Sequence, residues 1–187
     1  GASAGECTLI PALVQGLQKY SILATSCTQQ GLDVLSTISS EGAFFYRFLP
    51  LDWPPLMRWT LARVRPQVVV LVETEIWPGL LLACAQKNIP VLVINGRLST
   101  TSLAGYLPLA PLWTLGAPAQ IAAIAQEDAQ RFQLVFTQTP AQVTGNGKFD
   151  RALDTVLLDQ KDVSWSKYLP RLGHIIVLGS VREQEEA

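Results

Sequence analysis

The sequence predicts an α/β fold built on a Rossmann-like parallel sheet, and three observations predict it. Short aliphatic runs alternate with stretches of helical periodicity along the whole chain, the order expected of parallel strands joined by helical crossovers. Residues 68–72 are apolar without a break, as in a strand buried on both faces. The strands run out into polar loops at residues 3–6, 73–75, 95–97, 126–128 and 145–148. Right-handed crossovers place such strand ends along one edge of a sheet, which is where ligands bind in open α/β folds.

The elements follow in order. Leu9, Ala12, Leu13, Leu17 and Tyr20 fall at helical spacing and predict a helix over residues 6–20. Residues 22–25 read as a short strand, 29–37 as a helix and 44–48 as a strand of alternating bulk. Trp53-Pro54-Pro55 opens a helix, because proline is tolerated in the first turn, and that helix ends near Val64-Arg65-Pro66. After the strand at 68–72 comes a helix from 76 to about 87, closed by Asn88, then a parallel strand over 90–94. Residues 99–115 form one or two short helices, 121–125 a strand, 127–135 a helix and 142–144 a brief strand. Residues 151–170 tend to helix and stop at Pro170, and 175–178 are a last strand before Gly179-Ser180. The opening residues read as the loop after a strand that precedes them, and 181–187 as a helix just begun, so the chain is expected to be a fragment of a longer protein.

Composition narrows the function. A chain of 187 residues, 49% hydrophobic and 16% charged, suits one good core rather than two full domains. A net charge of -1 gives no electrostatic basis for binding nucleic acid. Three cysteines without CxxC spacing fit buried or incidental thiols rather than a disulfide framework or zinc site. With His174 the only histidine, a serine-histidine triad or a multi-histidine metal centre is disfavoured, and no cofactor is expected. Nothing reads as a leader peptide, and no apolar run reaches the roughly 18 residues of a membrane span. Residues 98–126 nonetheless contain no charged side chain. Either they form buried short helices or they offer a surface that touches lipid.

The polar loops carry the candidate chemistry. Glu73 and Glu75, either side of Thr74, serve either as acids at a helix N-terminus or as site carboxylates at a strand end. Gly5-Glu6 places a carboxylate at a helix start beside a residue that lets a ligand approach closely; Glu6 fits a general base on a hydroxyl or an ordinary helix acid. Arg97 offers a guanidinium suited to phosphate or carboxylate, or a surface charge. Gly145-Asn146-Gly147-Lys148 offers backbone N–H groups and an ammonium for an anion, without the GxxxxGK[ST] spacing of a nucleotide-triphosphate loop. Gly179-Ser180 is a further modest anion-binding loop.

Taken together, these motifs resemble the Kdo transferases, which add 3-deoxy-manno-octulosonic acid (Kdo) to the lipid A precursor of lipopolysaccharide. The resemblance rests on Ser3-Ala4-Gly5-Glu6, Glu73-Thr74-Glu75-Ile76-Trp77-Pro78, Asn95-Gly96-Arg97-Leu98-Ser99, Gly105-Tyr106, Ala125-Gln126-Glu127-Asp128-Ala129 with Arg131-Phe132, Val143-Thr144-Gly145-Asn146-Gly147-Lys148-Phe149-Asp150 and Gly179-Ser180 with Arg182-Glu183. It implies the N-terminal domain of a two-domain GT-B glycosyltransferase. Residues 1–150 would be the acceptor-binding domain with its first strand missing, 151–173 the linker, and 174–187 the start of a truncated donor-binding domain. It implies a membrane-associated enzyme on the cytoplasmic face of the inner membrane, with its usual anchor outside this chain, and no nucleic-acid partner.

The implied reaction is inverting transfer from CMP-Kdo. Glu6 matches the family's base position, and one of Glu73 and Glu75 would hold the acceptor sugar or support the base. Ser3, Gly5, Arg97, Asn146 and Lys148 would bind the acceptor or an anionic group, and Gly179, Ser180 and Arg182 the donor. The alternatives are a GT-B protein for another nucleotide sugar and a non-catalytic binding domain of the same fold. This chain departs from the family at Gly79, where asparagine is frequent, at Gly96, where alanine is, and at Gly147, where an apolar residue is; each is expected to add backbone freedom. After Tyr106 the family is often basic, whereas this chain reads Leu107-Pro108-Leu109-Ala110-Pro111-Leu112-Trp113.

Overall fold

The computed structural model describes residues 9–17, 19–39, 42–73 and 76–147. The chain divides into a unit of Gly1–Arg151 and a second of Ala152–Ala187; the described residues all lie in the first. The linker, the last strand, and Ser3, Gly5, Glu6, Glu75, Lys148, Gly179, Ser180 and Arg182 lie outside the described residues.

Strands and helices alternate as the periodicity predicts: α1 (Ile10–Gly16), β1 (Ile22–Ser26), α2 (Gln29–Ser36), β2 (Phe44–Phe48), α3 (Pro54–Val64), β3 (Val69–Val72), α4 (Pro78–Gln86), β4 (Val91–Gly96), α5 (Thr100–Tyr106), a 3₁₀ turn (Leu107–Leu109), α6 (Ala110–Trp113), β5 (Gln120–Ala123), α7 (Gln126–Val135) and β6 (Ala141–Val143). Every strand pairing among the described residues is parallel. Among the described residues the strands form two parallel sheets, β1-β2 and β3-β4-β5-β6.

Local chemistry explains the boundaries. Pro54 and Pro78 start α3 and α4 at positions whose N–H has no helical partner. Thr28 caps α2 by accepting from the Gly31 N–H at 3.1 Å, and Ser99 caps α5 by accepting from Ser102 at 3.1 Å. Arg65 closes α3 in the left-handed conformation, φ 51°, a helix ending usually given to glycine. α1 stops at Gly16 rather than Tyr20: Leu17 N–H turns back to the Val14 carbonyl at 3.1 Å and Tyr20 is exposed.

The main core lies around the four-stranded sheet, where Leu71, Leu81, Cys84, Val93, Ile121, Phe132 and Phe136 are buried together. Trp113 meets the Phe136 ring edge-on at 5.2 Å, and its indole N–H donates to the Tyr106 carbonyl at 3.2 Å. Leu98 and Trp113 are buried, and Leu103, Tyr106 and Leu109 pack on the same core. Leu98 and Trp113 thus anchor the uncharged segment to the core, but most of residues 99–117 are exposed or half-buried, with Leu107, Leu112 and Leu115 among the exposed. β3 is less enclosed than its composition predicts: Leu71 and Val72 are buried, but Val70 is 40% exposed. β2 lacks the alternating burial its bulk suggests, since Phe45, Tyr46, Arg47 and Phe48 all face solvent.

None of the three glycines that depart from the family has positive φ, and they differ in how closely they are packed. Gly79 is a close approach: a Cβ there would lie 2.7 Å from Asp52 Oδ1 and 2.9 Å from its backbone carbonyl oxygen. A Cβ at Gly96 would lie 3.0 Å from the Phe132 ring. At Gly147 a Cβ would meet only ordinary contacts, with Leu9 at 3.6 Å and Asn95 at 3.9 Å.

Candidate functional site

The carboxyl ends of β3, β4 and β6 are tied together by one side chain, that of Asn95. Its Nδ2 donates to Glu73 Oε1 at 3.4 Å. Its Oδ1 accepts from the Gly147 N–H at 2.9 Å. Asn95 is itself only 9% exposed.

The backbone is bent to make this possible. β4 pairs with β5 as Val93↔Ile121 and then Gly96↔Ala123. Three steps along β4 thus face two along β5, a register shift between Val93 and Gly96 in the stretch that holds Asn95. Bulges re-aim side chains at sheet ends. Asn95 has φ 50° and Glu73 φ 61°, the left-handed region that asparagine tolerates and glutamate rarely occupies. The other two non-glycine residues with positive φ among those described, Arg65 and Asn88, follow helix ends. At the strand ends the strain instead aims functional groups at one another.

Beside this bridge lies a cleft of about 580 Å³ lined by Arg97, Ser99, Thr100, Asp128, Arg131 and Asn146, among others. Its wall is held by α7. The buried Asp128 carboxylate accepts from the Leu98 N–H at 2.8 Å and pairs with Arg131 at 3.5 Å. Arg131 in turn donates to the Leu98 carbonyl at 3.1 Å. Both backbone groups of Leu98 are thus fixed, which orders the loop that carries Arg97. Such a cleft, with two guanidinium groups, two hydroxyls and a carboxamide on its walls, can take an anionic or sugar-like ligand. Among the described residues no cluster of histidine, cysteine and acidic groups suits a metal ion.

Of the sequence-predicted residues, Glu73 lies at the Asn95 bridge and Arg97 and Asn146 line the adjoining cleft. Of the five expected loops, those of residues 73–75, 95–97 and 145–148 meet here in their described parts. In the 126–128 loop Asp128 is spent on Leu98 and Arg131. Sequence reasoning missed Asn95 and Arg131. Both stood inside quoted motifs, but neither the bulge and partners of Asn95 nor the contacts of Arg131 with Asp128 and Leu98 have a local signature.

A family model described as 3-deoxy-D-manno-octulosonic-acid transferase (kdotransferase) matches residues 1–151. The chain belongs to the Kdo transferase family. It is 32% identical to the 3-deoxy-D-manno-octulosonic acid transferase of Haemophilus influenzae over 86% of this chain and 39% of that protein. It is also 32% identical to the enzyme of the same name from Bordetella pertussis, over 99% of this chain and 44% of that protein. The chain thus spans well under half the length of these relatives. Among solved structures, an S. aureus MnaA–UDP co-structure superimposes with a TM-score of 0.55 at 17% identity, covering 89% of this chain and 49% of that one. That likeness supports the fold, a Rossmann-like domain of the GT-B kind, as expected for the N-terminal half of a Kdo transferase.

Proposed function

We propose that the full-length protein transfers Kdo from CMP-Kdo to a hydroxyl of a lipid A precursor, with inversion, and that residues 1–150 form the acceptor-binding half. The observation that carries this reading is the meeting of Glu73, Asn95 and Gly147 beside a cleft with two arginines, at the sheet edge where α/β folds bind ligands. Family membership supplies the reaction class.

In this reading Glu6 removes the proton from the acceptor hydroxyl. The freed oxygen bonds to the anomeric carbon of Kdo as the bond from that carbon to the CMP phosphate oxygen breaks, and CMP leaves with the electron pair. Glu73 or Glu75 orients the acceptor sugar or supports the base. Ser3, Gly5, Arg97, Asn146 and Lys148 hold the acceptor and its anionic groups. Gly179, Ser180 and Arg182 meet the donor from the segment after the 151–173 linker. No described helix is long and apolar enough to cross a membrane; the proposed place of work is nonetheless the cytoplasmic face of the inner membrane, where a lipid acceptor would be met.

The test is transfer by the full-length protein to lipid A precursor in detergent, with CMP-Kdo and, separately, UDP-sugars as donors. Glu6→Gln should lower kcat by roughly 10²–10⁴-fold. Transfer from a UDP-sugar instead of CMP-Kdo would overturn the donor, and an undiminished Glu6→Gln rate would overturn the base.

A further inference from the structure

We propose that Asn95 is a positioning residue of the transferase site, its carboxamide setting the Glu73 carboxylate at a fixed place relative to the Gly147 loop. The inference rests on the reading of Glu73 as a site carboxylate.

Three observations carry it. The carboxamide spends its donor on Glu73 and its acceptor on Gly147, so a single planar group fixes the separation between the two loops. The bulge and the left-handed backbone at residue 95 exist at the point where that side chain is delivered. Glu73 has accepted a left-handed backbone of its own, a strained conformation for a non-glycine residue that persists only where surroundings hold it. A buried amide satisfied at both ends suits this task better than a carboxylate would. An acid at position 95 would face Glu73 with a like charge.

The experiment compares Asn95→Gly, Asn95→Asp, Glu73→Gln and the exchanged pair Asn95→Asp with Glu73→Gln, all in the full-length protein. Glycine suits the left-handed backbone, so Asn95→Gly should fold. It should lower kcat on the order of 100-fold, the cost of a small misplacement, with KM little changed, and should speed hydrogen exchange in the peptide containing Gly147. Asn95→Asp should show a new pH dependence, with the rate rising as pH falls and the two carboxyl groups come to share a proton. The exchanged pair restores a donor and an acceptor at the contact, so protection at Gly147 should return while kcat stays low. If Asn95→Gly and Asn95→Asp keep the wild-type kcat and pH profile while Glu73→Gln is impaired, this inference fails and the transferase reading stands. If Glu73→Gln itself keeps full rate, the reading of Glu73 as a site residue fails, whatever Asn95 does.

Discussion

The β1-β2 region and the β3-β6 region are built from the same parallel units and are enclosed very differently. Around β1 and β2 the buried apolar residues among those described are Ile10, Val14, Ala24 and Leu35, and Phe45, Phe48, Leu51 and Trp53 are all more than half exposed. Around β3 to β6 the core takes in side chains from α3, α4, α7 and the uncharged segment, and side-chain hydrogen bonds cross between loops at both Asn95 and Asp128. The bridged acid and the cleft lie at the end of the better-packed region. Rigid support is what a site needs to hold groups at productive separations.

The sharpest way to break that contrast is to cut the same kind of side chain from each region. Phe132 has no exposed surface and lies against Gly96. Phe132→Ala should cost about 3–5 kcal/mol in urea unfolding, the range for emptying a buried aromatic site. Phe48, 53% exposed, should cost no more than about 0.5 kcal/mol when changed to serine. Comparable losses from the two would show that the β1-β2 surface is covered in solution and that the contrast is false.

A smaller effect is expected where the two regions are joined. Asp52, in the loop after β2, caps α4 from a distance: its carboxylate accepts from the Gly79 N–H at 2.8 Å and the Leu80 N–H at 2.7 Å. Gly79→Ala drives a methyl into that carboxylate and its backbone carbonyl, and should cost about 1–3 kcal/mol. Asp52→Ala loses the cap but removes part of the obstacle. The double variant should therefore be less destabilised than the sum of the singles. Strict additivity, measured by the same unfolding midpoint, would mean that Asp52 swings away freely and does not fasten the regions together.

These junctions mark where the sequence stops being legible. Element type followed from periodicity and proline placement, because both act within a few residues. Val69–Val72, Val91–Gly96 and the start of α3 at Pro54 emerge within a residue or two of expectation. Asn95 did not emerge, because its partners lie 22 and 52 residues away and its orientation depends on a one-residue bulge. Asp52 reads as a loop acid until α4 arrives 27 residues later. The order in which the described strands pair was equally hidden, since pairing partners are chosen by packing rather than by local pattern. The uncharged stretch was legible only as an alternative between buried helices and an exposed surface, and the outcome is mixed: Leu98 and Trp113 enter the core while Leu107, Leu112 and Leu115 stay exposed.

The mildest test of the contrast uses two thiols, one in each region. Cys27 is exposed just after β1, and Cys84 is fully buried in α4. Burial pushes the Cys84 thiol up to about 11 from an ordinary 9.0, because the thiolate would lose its hydration. Iodoacetamide at pH 8 should therefore label Cys27 in the folded protein and spare Cys84 until urea is added. The same shift has a sign in stability. Below pH 9 both folded and unfolded chains keep the Cys84 proton, so it adds no slope. Between about 9 and 11 the unfolded chain releases a proton that the folded chain retains, so stability falls as pH rises. Cys84→Ala should flatten that alkaline slope without changing the slope near neutrality. Equal labelling of the two thiols in the folded protein would mean that α4 opens as readily as the loop after β1, and the better-packed region would lose its claim to rigidity.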